Sequence, residues 1–497
     1  MRRYGRRAVR SGLARPIASA WLLSALVLTA APAQSATPRF DAADTSWCGD
    51  GSHPTLLQRI SGCRIVLALQ GAVTKAQVLA HDWRGQFFAE QREYRAALAD
   101  FNAAIRLDAN YAIAYGERAD IYLATGKSQR AIEDYTVYIR LDPDWKGYYG
   151  RGLAYLQIND LDNALADFSA AINLRPSDGT AYTSRGEARR RKGEAELAIA
   201  DFDRAIALDP TEATAWFDRG IAYSDKGNVD HAIADYDQAI QLKSDDAWYY
   251  NNRGNSYVDK KDTERAMADY NSAIGLDPAF ALAYYNRGTA YWNRKDFDHA
   301  LADLDESIRL DPSYAPAFGN RARLYRDKGD SNRAFDDFAE SLRLNPAGYN
   351  DYFGRGNLYF DKHDYALALA DYDAASEYRG DFALAFNGRC LTKAILGRGR
   401  EALADCEQAI KLEPDNGYII DSRGFCHLKL GELDAAVADY DAALSVNPRI
   451  AESFYGRGIA RKRRGDAEGA RADIEAAKAI KADIAAQFAS WGIADAD

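Results

Sequence analysis

Apolar and polar residues recur along most of this chain with the spacing of amphipathic helices, and the helical patterns come in pairs. In residues 281–314, Tyr284 and Tyr291 share one face of a first helix, and Ala300 and Leu304 share one face of a second. A Leu-Asp-Pro sequence follows and ends the second helix, because proline cannot continue a helix and restricts the residue before it. The pattern therefore predicts a helix–turn–helix hairpin.

The same hairpin pattern recurs every 34 residues, apart from one repeat of 33. One such hairpin cannot bury its apolar face alone, so successive repeats must stack on one another. We number the repeats in chain order and count positions from the first residue of each. The twelve repeats start at Val78, Ala112, Trp145, Gly179, Ala213, Ala247, Ala281, Ala315, Tyr349, Ala383, Gly417 and Ala451.

These repeats resemble the tetratricopeptide repeat family, which has aromatic and small residues in the first helix, Ala-aromatic-Ala in the second, and a proline after it. The resemblance covers most of the chain. It implies an all-α fold, a right-handed superhelical solenoid of about twelve helix–turn–helix units with N- and C-terminal capping helices. We expect a signal peptide (1–33), an N-terminal segment with a capping helix (34–77), the repeat array (78–484), and the end of a C-terminal capping helix with its tail (485–497).

Every repeat also has arginine at position 7 and aspartate sixteen residues later, where the family more often has leucine and an aromatic residue. A planar guanidinium can hold a carboxylate with two hydrogen bonds while its stem packs on apolar atoms. We therefore predict twelve structural Arg–Asp pairs, each joining a first helix to a second helix of its own or a neighbouring repeat. We favour them over a row of anion-binding sites. Three of these pairs are Arg253–Asp269, Arg287–Asp303 and Arg355–Asp371.

The resemblance also implies a binding surface, because positions 2, 5, 9 and 12 of the first helices line a concave groove in tetratricopeptide proteins. Repeats five to nine are richest in aromatic residues and asparagine at these positions. Aromatic rings offer a large contact area, and asparagines can pair with the backbone of an extended peptide, although some rings are expected to pack between repeats. The candidate groove residues are Phe217, Trp248, Asn251, Asn255, Tyr285, Trp292, Phe353, Asn357 and Phe360.

The two ends of the chain carry their own signals. Six arginines and no acidic residue in the first 33 residues, the apolar run 17–31, and the sequence Ala31-Pro32-Ala33 are typical of a cleaved export signal. An uncleaved anchor is the alternative, although the run is short for a membrane span. We expect a periplasmic or secreted bacterial protein without stable membrane insertion after cleavage.

At the C-terminal end, the pattern predicts a continuous helix over 472–491 that covers the last repeat.

An exported protein enters an oxidising compartment, in which its cysteines can form disulfides. Cys48 and Cys63 follow the signal and are expected to form a disulfide. Cys390 and Cys406 occupy facing positions of repeat ten, where they form either a second disulfide or two small buried core residues. Cys426 is expected to be buried.

Charge and motifs narrow the function classes. The net charge is −10, and removing the arginine-rich first 33 residues leaves −16, which argues against nucleic acid and anionic membranes as partners. We find no metal-ligand spacing and no catalytic motif, so we predict no metal, no cofactor and no enzymatic activity. The sequence predicts an exported scaffold that binds protein or peptide partners in its concave groove. The alternative is an envelope assembly or structural factor within a multiprotein complex, for example in polysaccharide export or outer-membrane biogenesis.

Overall fold

The computed structural model describes Leu67 and residues 75–493, and within this part every regular element is a helix. The expectation of an all-α fold built from helix hairpins is confirmed. The predicted signal peptide (1–33) and the Cys48–Cys63 disulfide lie outside the described residues. The chain divides into two compact units, Met1–Leu276 (unit 1) and Asp277–Asp497 (unit 2), which we describe separately.

Unit 1 contains the helices of the first six repeats. The two helices of each repeat pack against each other across a short turn, and within the unit the second helices of repeats one to five also pack on the first helix of the next repeat. The helices are α1 (Lys75–Glu90), α2 (Tyr94–Leu107), α3 (Ala112–Ala124), α4 (Ser128–Leu141), α5 (Trp145–Gln157), α6 (Leu161–Leu174), α7 (Gly179–Lys192), α8 (Ala195–Leu208), α9 (Ala213–Lys226), α10 (Val229–Leu242), α11 (Ala247–Asp259) and α12 (Thr263–Leu276).

Unit 2 repeats this arrangement with the last six repeats and adds one short helix at its end. None of the described helices of either unit is long and apolar enough to cross a membrane. The helices of unit 2 are α13 (Ala281–Asn293), α14 (Phe297–Leu310), α15 (Ala315–Asp327), α16 (Ser331–Leu344), α17 (Tyr349–Asp361), α18 (Tyr365–Tyr378), α19 (Ala383–Ile395), α20 (Gly399–Leu412), α21 (Gly417–Leu430), α22 (Leu433–Val446), α23 (Ala451–Arg463), α24 (Ala467–Ile480) and α25 (Ile484–Ser490).

In most repeats, close contact between a small residue at position 8 and a ring at position 24 holds the two helices of the repeat together. In repeat six, a Cβ atom added to Gly254 would lie 2.7 Å from a ring carbon of Tyr270, which is 1 % exposed. Only glycine therefore allows the helices to approach this closely. Repeat ten replaces the contact with a disulfide between Cys390 and Cys406, one of the two expected arrangements. Cys426 is a buried free thiol.

The C-terminal end differs from the predicted continuous helix over 472–491. Helix α24 ends at Ile480, and α25 begins at Ile484. The break occurs because Lys481 adopts an extended conformation (φ −141°, ψ 104°), close to that of Asp209 (φ −140°, ψ 93°) at the end of α8. The geometry of the repeat thus ends this helix without the proline that marks the end of α8.

Candidate functional site

All twelve position-7 arginines contact the aspartate sixteen residues later in their own repeat. Arg253 Nε and Nη2 donate to the two carboxylate oxygens of Asp269 over 2.9 and 2.7 Å. The corresponding distances are 2.8 and 2.7 Å in both Arg287–Asp303 and Arg355–Asp371. Each guanidinium fork is filled by a carboxylate of the chain itself, which fits a structural role. The other nine pairs are Arg84–Asp100, Arg118–Asp134, Arg151–Asp167, Arg185–Asp201, Arg219–Asp235, Arg321–Asp337, Arg389–Asp405, Arg423–Asp439 and Arg457–Asp473.

Many of these arginines also bond a second partner, in the preceding repeat, and the sequence analysis did not predict this second bond. Arg253 Nη1 donates to Asp237 Oδ1 on α10 over 2.6 Å, so one side chain joins α10, α11 and α12. Arg321 makes the corresponding bond to Asp305 in unit 2, also over 2.6 Å. The available signal was a second aspartate, two residues after the first, that recurs in many second helices. This ladder of arginines sets the spacing between successive repeats within each unit.

The first-helix face, which we define as positions 2, 5, 9 and 12 of the first helices, contains the candidate binding residues. Hydrogen bonds along this face join consecutive first helices. In unit 1, Arg190 Nη1 on α7 donates to Asp225 Oδ2 on α9 over 2.9 Å. In unit 2, Trp292 Nε1 on α13 donates to Asp327 Oδ2 on α15 over 3.1 Å. Neighbouring first helices therefore lie side by side within each unit.

Two of the four candidates in unit 1 are too buried to form a contact surface. Phe217 is fully buried, and its ring centroid lies 4.7 Å from that of Tyr249 on the next first helix. Asn251 is 1 % exposed. Position 5 fills space between successive helices here, which corrects the expectation that both residues face a partner. Trp248 and Asn255 are partly exposed.

The candidates in unit 2 divide in a similar way. Tyr285 is buried, with its ring edge-on to Tyr314, so it too is removed from the candidate contact surface. The other four, Trp292, Phe353, Asn357 and Phe360, are partly exposed.

Buried tyrosines hold the two remaining asparagines in place. Tyr270 Oη donates to Asn255 Oδ1 over 2.8 Å, and Tyr372 Oη donates to Asn357 Oδ1 over 2.7 Å. Each amide oxygen is thus engaged inside its repeat, and each partly exposed asparagine also has an NH₂ group with two hydrogen-bond donors. The sequence analysis selected both asparagines but missed their tyrosine partners. The signal was a tyrosine at position 24 paired with asparagine at position 9.

Carboxyl groups give the first-helix face of repeats one and two a different character. Burial raises the pKa of Asp82, at position 5 of repeat one, to about 6, although a hydrogen bond from Tyr111 lowers it. Next to this face, at position 6 of repeat two, burial, followed by the neighbouring charges of Asp120 and Asp82, raises the pKa of Glu117 to about 8. These groups hold protons at pH values where ordinary carboxyl groups are charged. Within residues 75–493, no cluster of histidine, cysteine and carboxylate side chains has the makings of a metal site.

Comparison with known families decides what the hairpins are. Profiles described as "Tetratricopeptide repeat" match residues 84–144, 149–213, 281–314, 315–347 and 427–484, and a profile described as "TPR repeat" matches 222–260 and 254–294. The chain belongs to the tetratricopeptide repeat family. Arrays of tetratricopeptide repeats are scaffolds for protein–protein interaction. No curated protein sequence matches the chain.

Three solved structures are similar to this chain at low sequence identity. The APC/C Cut9–Hcn1 hetero-tetramer structure matches with 13 % identity and a TM-score of 0.45, covering 87 % of this chain and 98 % of that one. A tetratricopeptide repeat protein from Parabacteroides merdae has 19 % identity and a TM-score of 0.42, covering 47 % and 93 %. YrrB, described as having an unusual peptide-binding site, has 23 % identity and a TM-score of 0.31, covering 37 % and 95 %.

Proposed function

We propose that this tetratricopeptide repeat protein is an exported, non-catalytic scaffold that binds protein or peptide partners on its first-helix face. The observation that carries the proposal is the pairing of partly exposed tryptophan with fixed asparagine. On α11, Trp248 and Asn255 lie two helical turns apart on this face, and Tyr270 fixes the asparagine. The ring supplies contact area, and the amide supplies hydrogen bonds to the backbone of a bound segment.

The rigid attachment of α11 to its neighbours supports the proposed binding role of Trp248 and Asn255. Arg253 joins α11 to α10 and α12, so Trp248 and Asn255 project from a helix that is held on two sides. A preorganised surface binds more tightly because less conformational entropy is lost on association. The face therefore suits a ligand that is recognised by many weak contacts repeated along the array.

Binding is tested by recovering partners from an envelope extract on the immobilised chain. We expect Trp248→Ala with Trp292→Ala to lower the affinity for bound partners at least tenfold, since tryptophans are typical hot-spot residues. The matched control is Trp216→Ala, which removes a tryptophan at position 4, outside the first-helix face. Equal recovery by the double variant and by the control contradicts the proposal.

The proposal of export rests on residues 1–33, and it can be tested independently of partner binding. We expect the chain produced in a bacterium to appear in the periplasm or medium with a new N-terminus after Ala33 or Ala36. Intact chain in the cytosol contradicts the export proposal but leaves the binding proposal standing. A stable, stoichiometric complex purified from the envelope favours the second candidate function, an envelope assembly factor.

A further inference from the structure

Helix α25, the last of the described helices, lies on the first-helix face of its own unit. Ile484 and Phe488 of α25 are fully buried or nearly so. The ring centroid of Phe488 lies 4.8 Å from that of Tyr455 on α23 and 5.8 Å from that of Phe425 on α21. Tyr455 is at position 5 and Phe425 at position 9, so α25 covers binding positions of the last two repeats.

The contact extends further than closure of the last repeat requires. Trp491, only 7 % exposed, places its ring centroid 5.4 Å from Phe425 and 6.3 Å from Phe360. Phe360 is at position 12 of repeat nine, three repeats before the end of the array. A terminal cap needs to shield only the outer surface of the last repeat. The segment instead contacts first-helix-face residues of repeats nine, eleven and twelve.

A backbone contact fixes the direction of this segment. Lys429 Nζ on α21 donates to the carbonyl oxygen of Trp491 over 2.9 Å, just beyond the C-terminal end of α25. A cation at this end satisfies a free carbonyl group and opposes the negative end of the helix dipole. Burial lowers the pKa of Lys429, and the nearby Arg463 lowers it further. The ammonium group is thus poorly solvated and gains from a carbonyl partner.

The chemistry of the segment indicates what this surface accepts. Residues 484–493 read IAAQFASWGI, with no charged side chain and with Phe488 and Trp491 three positions apart. At that spacing both rings lie on one side of a helix. We propose that residues 484–493 are an internal ligand of the first-helix face of repeats nine to twelve, and that a partner's short uncharged helix with two aromatic side chains one turn apart binds there by displacing them. This inference rests on the proposed binding function and names its ligand class for one part of the face.

Because residues 484–493 belong to the same chain as the face, an external ligand must compete with a high local concentration of this segment. A segment joined to its site by a short linker has an effective concentration of the order of millimolar. An external helix with the same side chains must therefore compete with a ligand that is always present. Weak ligands therefore do not displace residues 484–493, and only a ligand that binds the face more tightly than this segment does so.

A peptide-binding experiment on the full chain tests the inference. The probe is a fluorescent synthetic peptide of residues 482–493, measured by anisotropy against the native chain and against Phe488→Ala with Trp491→Ala. We expect the peptide to bind the double variant at least 50-fold more tightly than the native chain, whose site is occupied. Adding Lys429→Met to the double variant is expected to weaken peptide binding several-fold. A folded double variant that does not bind, or equal binding to both chains, overturns the inference.

Hydrogen exchange of the native chain provides a test that does not depend on the variants folding. If residues 484–493 leave the face while the repeats stay folded, their amides exchange faster than those of α23 and α24. Identical protection of all three segments shows that α25 opens only with the repeats, and it overturns the inference. A negative result in the peptide-binding or the hydrogen-exchange experiment concerns only the C-terminal end of unit 2. Loss of partner binding in the Trp248 and Trp292 experiment tests the proposed function separately.

Discussion

Replacing Arg253 with methionine tests whether the arginine ladder holds the repeats together. The change keeps much of the apolar stem and removes the hydrogen bonds to Asp269 and Asp237. Asp269 is 5 % exposed, so the variant leaves a buried carboxylate without its counter-charge. Such a loss costs about 3–5 kcal/mol when both partners are fully buried. The Arg253 side chain is 20 % exposed, so we expect the lower end, about 3 kcal/mol.

The assay is native-state hydrogen exchange, because long repeat arrays do not unfold in a single step and a global free energy of unfolding is poorly defined for them. A loss of about 3 kcal/mol accelerates exchange in α11 and α12 more than 100-fold. Adding Asp269→Leu to Arg253→Met should restore most of the protection, since an apolar pair can replace a buried ion pair.

The matched control is Arg265→Met in the same repeat. The Arg265 side chain is 59 % exposed and pairs with Asp262 over 2.6 Å, so its loss should change protection in α11 and α12 little. If Arg253→Met and Arg265→Met change exchange in α11 and α12 by the same factor, the ladder does not stabilise the stack as described.

Three further predictions follow from single features. Replacing Cys390 and Cys406 together with alanine should lower the melting temperature, because the disulfide closes a loop of 16 residues and such loops contribute about 3 kcal/mol; an unchanged melting curve contradicts this. Burial raises the pKa of Glu117 from 4.5 to about 8 in the folded chain. The protonated carboxyl group therefore contributes stability that is fully present below pH 4.5 and is lost as the pH rises through about 8. Melting at pH 5.5 and 8.5 should therefore show a smaller difference in Glu117→Gln than in the native chain, and an equal difference refutes the assignment. Gly254→Ala should destabilise by about 1–3 kcal/mol through overpacking, whereas Gly275→Ala, with open space around its Cβ, should be neutral or stabilising; native-state hydrogen exchange in α11 and α12 decides between these outcomes.

The helix hairpins were predictable because a 34-residue period repeats the same local signals twelve times. The Arg253–Asp269 pair was predictable for the same reason, since both residues recur at constant spacing. The bond from Arg253 to Asp237 was missed, because it depends on how one repeat stacks on the previous one. Lys481 shows that this stacking also ends a helix where no proline signals it.

Exposure at the candidate positions could not be read from the pattern. Phe217 and Phe353 both occupy position 5, yet the first is buried between helices and the second is partly exposed. The difference depends on which residues the neighbouring helix supplies. The contact of Trp491 with Phe360 was equally hidden, because it joins residues three repeats apart and no local periodicity encodes it.

The central claim is that partners bind to the first-helix face, and site-specific photo-crosslinking tests it most directly. A photoreactive phenylalanine analogue is placed either at Asn255 on α11 or at the exposed Gln238 on α10, in otherwise identical full chains. After irradiation in the envelope of the producing cell, the account predicts strong, specific adducts at residue 255 and few at residue 238. Equal adducts at both residues, or adducts concentrated at residue 238, contradict the claim.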